Sequence, residues 1–228
     1  MRIYAHRGAS RDFPELTEAA YRGAADQGAD GFECDLRLTR DLIPILWHNP
    51  SMHEQTGHPG LIAEMRYSEI KAASPSLLTL DEFFDISLEL NKSVLLETKH
   101  PVITGNKIEE ILAEKIKDRK ILRDIDCSVI SFSWGAIEKI HRIEPAIPTT
   151  LLLSQVKPFA FARFSSADAI APDIKRLREN PSLAAKIKSL GKDLYTWTVD
   201  DEADVKLASE LGVDILITNT PARARGFL

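Results

Sequence analysis

Short aliphatic and β-branched runs alternate with stretches whose apolar residues recur at i, i+3 and i+4, and this alternation occupies almost the whole chain. The strand-like runs cover residues 2–5, 31–36, 93–98, 127–131, 149–153, 168–171, 193–199 and 214–218. The helical period fills residues 18–27, 80–90, 108–119, 134–143, 182–190 and 203–211. Asn180-Pro181-Ser182 has the form of a helix start, and Gly191 and Gly212 stand where left-handed caps would close the helices before them. Strands alternating with helices imply a parallel sheet. Eight of them in 228 residues imply a closed (β/α)8 TIM barrel, with an open doubly wound sheet as the structural alternative.

Two segments depart from the repeat. The apolar run 43–48 reads as a continuation of the second strand after a turn. Residues 50–76 contain His53, Gly57, Pro59, Gly60 and Pro75 and are too long for an ordinary connection of ~2–6 residues, so they read as a small insertion after the second strand, over the C-terminal face of the barrel. No linker, low-complexity tract or charge block divides the rest, and a single domain over 1–228 is expected.

Composition narrows the partners. At 44% hydrophobic and 28% charged residues the chain can bury a substantial core, and its net charge of −5 offers no basic footprint for nucleic acid. Met1-Arg2-Ile3-Tyr4-Ala5-His6 lacks the pattern of a signal peptide, and charged residues interrupt every apolar run well short of the ~20 residues that a spanning helix needs. A cytoplasmic location without integral membrane association is the expectation, and the oligomeric state is left open. Cys34 and Cys127 lie in apolar strand-like segments without CxxC spacing and are expected as two buried thiols.

Polar residues gather where such a barrel places its chemistry, at the carboxyl ends of strands. With a side-chain period of two, Glu33 and Asp35 point to one face while Cys34 and Leu36 point to the helices; Glu97 and Lys99 share a face of the next strand. Three acids at one rim repel unless a cation is present, and hard oxygen ligands of this kind suit Mg2+ or Ca2+. Salt bridges of Glu33 or Glu97 to Arg7, Arg37 or Lys99 are the competing explanation. His6 and Arg7 follow the first strand and precede Gly8, which would let backbone approach a ligand. His6 and His48, both at strand ends, can supply a base for an attacking hydroxyl and an acid for a departing alkoxide, while Arg7 and Lys99 neutralise phosphate oxygens. His53, His58, His100 and His141 are expected to be noncatalytic. Trp197 either walls the pocket or fills the barrel.

In sequence order, His6-Arg7-Gly8-Ala9-Ser10, Pro14-Glu15-Leu16-Thr17, Ala29-Asp30-Gly31-Phe32-Glu33-Cys34-Asp35-Leu36, Leu38-Thr39-Arg40-Asp41, His48, Leu78-Thr79-Leu80-Asp81-Glu82, Glu97-Thr98-Lys99, Ser131-Phe132, Trp197-Thr198-Val199 and Gly212-Val213-Asp214 together resemble the glycerophosphodiester phosphodiesterase family. The resemblance implies a phospholipase C-like barrel, a divalent cation on Glu33, Asp35 and Glu97, acid–base work by His6 and His48, and substrate contacts from Arg7, Glu15, Lys99 and Trp197. It implies hydrolysis of a glycerophosphodiester to sn-glycerol 3-phosphate and an alcohol, with the segment after His48 as the family's insertion. An intact phospholipid, sphingolipid or inositol phosphodiester as substrate, or a noncatalytic phosphate-binding barrel, are the other readings. The chain departs from the family pattern at Leu16 (usually Asn), Leu42 (commonly Gly), Asn49 (usually Asp), Asp200 (an Asn) and Asn219 (an Asp).

Overall fold

The structure, a computed structural model, describes residues 1–228. Its strands are β1 (Arg2–His6), β2 (Gly31–Leu38), β3 (Pro44–Leu46), β4 (Ser93–Thr98), β5 (Cys127–Ser131), β6 (Thr149–Leu153), β7 (Ala169–Pro172), β8 (Asp193–Thr196) and β9 (Ile215–Thr218). Eight of these run parallel in the order β1-β9-β8-β7-β6-β5-β4-β2, and β1 pairs with β2 as well as β9, so the sheet closes into a barrel with helices between its strands. The alternation of periods thus carried the fold, and the open-sheet alternative is excluded. The ninth strand, β3, folds back antiparallel on β2 with Leu36 opposite Leu46, so the run 43–48 makes a hairpin at the rim.

Strand parity sorts the core. Inside the barrel, Tyr4, Leu95, Ile130, Leu152, Ala169, Ala171, Tyr195, Ile215 and Ile217 pack together beneath the carboxyl ends. At Gly31 a side chain is excluded, because a Cβ there would lie 2.5 Å from the Tyr4 ring. The alternate residues face outward and bury against helices, as parallel strands covered on both faces require. Phe32, for example, lies 5.2 Å from the Tyr21 ring, which in turn lies 4.7 Å from Phe83. Each such aromatic pair adds about 0.5–1.5 kcal/mol beyond area burial. Cys34 and Cys127 are free and buried in this outer layer, as expected.

Local chemistry explains several motifs noted above. Thr17 caps the helix Glu18–Asp26 by accepting from Ala20 N at 3.3 Å, and Thr79 with Glu82 forms a reciprocal capping box at the start of Leu80–Glu89. Gly191 and Gly212 adopt left-handed φ of 72° and 67° after their helices. Sequence periodicity missed the helices Tyr67–Ala73, Ala160–Phe164, Ile174–Glu179 and Pro221–Gly226, which are too short to develop a readable period. It also extended residues 193–199 too far: β8 ends at Thr196, and Trp197 keeps only an isolated bridge to Asp173. Residues 50–76 carry short helices over a small cluster of Ile45, Trp47, Met52, Ile62, Met65, Ile70 and Leu77.

The β2–β3 turn places Leu42 at φ +62° with its side chain 40% exposed. A Cβ in the left-handed region costs about 1–2 kcal/mol, and little burial is lost by removing this side chain. Leu42→Gly is therefore expected to stabilise the protein by about 1 kcal/mol in denaturant unfolding, part of the gain being offset by the flexibility of Gly in the unfolded chain. Leu16, at φ +60°, differs: it is buried in the main core, so replacing it would exchange strain for lost packing.

Candidate active site

Glu33 and Asp35 on β2 and Glu97 on β4 come together at the carboxyl end of the barrel, with Asp35 directly opposite Glu97 in the strand register. All three are buried, and one ligand oxygen from each lies within 4.8 Å of the others. Two cations answer them. Lys99 Nζ is 2.6 Å from Asp35 Oδ1 and 2.6 Å from Glu97 Oε1, and Arg7 Nε is 2.8 Å from Asp35 Oδ2. The two Asp35 contacts are close ion pairs that lack hydrogen-bond directionality, and Glu33 Oε1 is buried with no partner. Of the salt bridges that sequence reasoning held as a rival explanation, Lys99–Glu97 is present, whereas Arg7 and Lys99 both reach Asp35, which that explanation did not name. Arg37 is not among them, since its Nε donates to the His48 carbonyl at 2.9 Å.

With all three ionised, three acids against two bases would leave the cluster one negative charge in excess, and the local electrostatics oppose that state. Burial, reinforced by Asp35, pushes the Glu97 carboxyl up to about 7. Burial together with the charges of Asp35 and Glu97 raises Glu33 well above its ordinary range. Burial opposes ionisation of Asp35 too, yet Lys99 and Arg7 outweigh it and hold that carboxyl below its usual value. An all-oxygen donor set with an orphaned buried oxygen and an unbalanced negative charge fits a hard divalent cation.

The turn after β1 carries the first histidine. Arg7 takes φ +59°, its backbone N–H donates to the Glu33 carbonyl, and its Nη1 reaches Glu15 Oε2 at 2.8 Å. Such a left-handed non-glycine residue costs about 1–3 kcal/mol and is typical of functional turns. Glu15 is held in turn by Gln55 from the insertion, 3.1 Å away. Gly8, at φ +83°, was expected to admit a ligand. What it admits is the helix Glu18–Asp26, because a Cβ would sit 2.6 Å from Ala20.

His6 Nδ1 lies 2.7 Å from Asn219 Oδ1, and its Nε2 lies 3.9 Å from Glu33 Oε2. Burial, aided by the Arg7 charge, lowers its pKa to about 4, so the ring is neutral near pH 7. His48 lines the same cavity, with Nδ1 2.7 Å from Asn49 Oδ1, and burial lowers its pKa as well. The cavity, about 230 Å3, is lined by His6, Arg7, Glu33, His48, Glu97, Lys99 and an apolar wall. Trp197 belongs to that wall: its Nε1 donates to the Ala171 carbonyl at 2.8 Å and its ring meets Phe132 edge-on at 5.2 Å. Sequence reasoning did not single out Phe132 as wall or Ser10 as a contact of His6. Glu15, by contrast, touches the site through Arg7 and does not line the cavity. His100 pairs with the buried Glu109 at 2.8 Å, and His53, His58 and His141 lie outside the cavity.

A parallel barrel closed on itself, with acids, cations and two imidazoles converging at the carboxyl ends of its strands, is the architecture of a barrel enzyme. The model of the glycerophosphoryl diester phosphodiesterase family matches residues 6–223, and the chain belongs to that family of phosphoric diester hydrolases. It is 32% identical over 251 residues to the Mycobacterium tuberculosis protein called "Probable glycerophosphodiester phosphodiesterase 1", covering 99% of this chain and 92% of the relative. It is 29% identical over 232 residues to the glycerophosphodiester phosphodiesterase of Caldanaerobacter subterraneus, covering 96% and 94%. Among solved structures, an Oleispira antarctica phosphodiesterase in complex with the product sn-glycerol-3-phosphate superposes with a TM-score of 0.87 at 22% identity, covering 100% and 96% of the two chains. The fold is therefore shared with that enzyme. No helix of the chain is long and apolar enough to cross a membrane.

Proposed function

We propose that the chain hydrolyses a glycerophosphodiester to sn-glycerol 3-phosphate and a free alcohol, with a divalent cation held by Glu33, Asp35 and Glu97. The observation that carries this reading is the cavity itself, where two neutral-leaning imidazoles face a buried carboxylate triad and two cations. When bound, Mg2+ or Ca2+ would supply positive charge against the developing charge on the phosphate oxygens. Arg7 and Lys99 add to that charge from the protein side.

His6, neutral and presenting Nε2 to the cavity, takes the proton from the attacking hydroxyl, which is either water or the neighbouring hydroxyl of the substrate glycerol. His48 enters the step protonated, a form that the negative charge of the bound phosphate favours, and gives that proton to the departing alkoxide, so the P–O bond to the alcohol breaks as the new P–O bond forms. Where the glycerol hydroxyl attacks first, water opens the cyclic phosphate with the same two rings in exchanged roles. The Trp197 and Phe132 wall excludes water from one side and contacts the apolar part of the substrate. Glu15 fixes Arg7 and thereby the orientation of the phosphate.

The bond cleaved decides between this reading and its rivals. With glycerophosphocholine as substrate, 31P NMR is expected to show glycerol 3-phosphate accumulating with free choline. Phosphocholine as the phosphorus-containing product, or no turnover of any glycerophosphodiester, would contradict it.

A further inference from the structure

Asp200 and Asn219 lie just beyond β8 and β9, which are neighbours in the barrel, and the two residues meet behind His6. The Asn219 side-chain nitrogen donates to Asp200 Oδ2 at 2.7 Å. Asp200 Oδ1 is already taken: it accepts from the Asn219 backbone N–H at 2.8 Å and from Thr218 Oγ1 at 2.9 Å. On its other side, Asn219 Oδ1 lies 2.7 Å from His6 Nδ1 and accepts from Ser10 Oγ at 2.9 Å.

A carboxylate only accepts hydrogen bonds, so the amide NH2 of Asn219 must face Asp200 and the amide oxygen must face His6. Which way an amide points is ordinarily an assignment, but here the donor and acceptor inventory dictates it. His6 Nδ1 must then carry the ring hydrogen, which leaves the lone pair of neutral His6 on Nε2, the nitrogen turned toward Glu33 and the cavity.

We infer that Asp200 and Asn219 are positioning residues that together set the tautomer of His6, Asp200 acting through the intervening amide. This rests on the proposed role of His6 as proton acceptor, for which only the Nε2 lone pair is usable. A side chain at position 219 that accepted on one side and donated on the other would serve no purpose without the carboxylate behind it. The chain thus holds a carboxylate, an amide and an imidazole in line, with the negative charge one residue removed from the ring. His48 has a related arrangement, since Asn49 accepts from its Nδ1 side and donates to Glu54. Glu54, however, is exposed on a short helix and free to turn, so the inference is confined to His6.

The isosteric change Asp200→Asn makes a sharp test. The Asn219 backbone N–H and the Thr218 hydroxyl require an acceptor at the Oδ1 position, so the new amide must turn its NH2 toward Asn219. Asn219 then has to flip, presenting NH2 to His6 Nδ1, and the ring must move its hydrogen to Nε2. In serine-protease triads the corresponding loss of the correct tautomer lowers kcat by about 10⁴. Here, where the exchange lies one residue further from the ring, a fall of about 10²-fold in kcat is expected, with KM little changed. The double variant Asp200→Asn with Asn219→Asp restores an acceptor against Nδ1 and satisfies every group in the line, so it should recover kcat to within about tenfold of the unaltered protein.

The readout that a merely structural role would not move is the 15N NMR spectrum of histidine-labelled protein. The unaltered chain and the double variant are expected to show His6 protonated on Nδ1, and Asp200→Asn on Nε2. An Asp200→Asn protein that is folded by circular dichroism and keeps the Nδ1–H tautomer would overturn the inference, as would a double variant no better than the single one. If the tautomer inverts while kcat holds, the inference about Asp200 and Asn219 stands and the proposed role of His6 falls, so the two fail separately.

Discussion

Replacing His6 with alanine is expected to lower kcat against a glycerophosphodiester by about 10²- to 10⁴-fold, the usual contribution of one positioned proton-transfer group. His6 stands at the end of β1, with its ring between the Asn219 amide and Glu33, and no other side chain in the cavity presents a neutral nitrogen from that side. Removing the ring leaves Arg7, Lys99 and the carboxylates in place, so KM should change much less than kcat. The leaving group separates the two histidines. A p-nitrophenyl ester departs without a proton, so His48→Ala should lose far less activity on that substrate than on a glycerophosphodiester. His6→Ala should be impaired on both, because the attacking hydroxyl still has to be deprotonated. Equal sparing of both variants by the activated ester would contradict the assignment of roles.

The second large effect concerns the cation. In the protein without metal, Glu97 is pushed up to about 7 and Glu33 is raised well above its ordinary range, because both are buried beside Asp35. A cation bound by these carboxylates must displace their protons, so binding of Mg2+ or Ca2+ is expected to release at least one proton near neutral pH and to tighten about tenfold per pH unit for each proton released. Calorimetric titration in buffers of different ionisation enthalpy measures that number directly. The stability of the metal-free protein follows with the opposite sign. A carboxyl whose folded pKa is raised holds its proton in the folded state where the unfolded chain has lost it, so its contribution declines as pH rises from about 4.5 toward 7. His6, depressed to about 4, runs the other way: its contribution grows as pH rises from about 4 to the ordinary histidine value near 6.5. The two oppose each other in that window, with the lowered His48 adding to the His6 side and the raised Glu33 to the Glu97 side. Above the ordinary histidine value near 6.5 the histidine contributions are complete, so the metal-free protein is expected to lose stability as pH rises from about 6.5 to 7, and added cation to raise Tm increasingly over that range.

The parts legible in the sequence were those governed by period. Alternation of strand and helix gave the barrel, and strand parity alone brought Glu33, Asp35 and Glu97 to one rim, since side chains two residues apart share a face and β2 lies beside β4. What stayed hidden depends on contacts between distant segments. Lys99 and Arg7 could be placed at the rim, but not their ion pairs with Asp35. Gly8 carried a signal of close approach without saying to what, and the structure shows a helix there. Asp200 and Asn219 read as two separate departures from the family pattern. Their meaning appears only when β8 and β9 lie side by side and the two side chains bond to each other. Leu16 likewise reads as a lost polar group, whereas its side chain is packed in the core.

The central claim is that phosphodiester hydrolysis here requires both the acidic triad's cation and the two imidazoles. Release of sn-glycerol 3-phosphate from glycerophosphocholine and glycerophosphoethanolamine, measured with Mg2+, with Ca2+ and with EDTA for the unaltered chain and His6→Ala, tests it most directly. Turnover that depends on a divalent cation, disappears in EDTA and falls by at least about 10²-fold in His6→Ala is the predicted result. Activity unchanged by EDTA, or unchanged by His6→Ala, would contradict it.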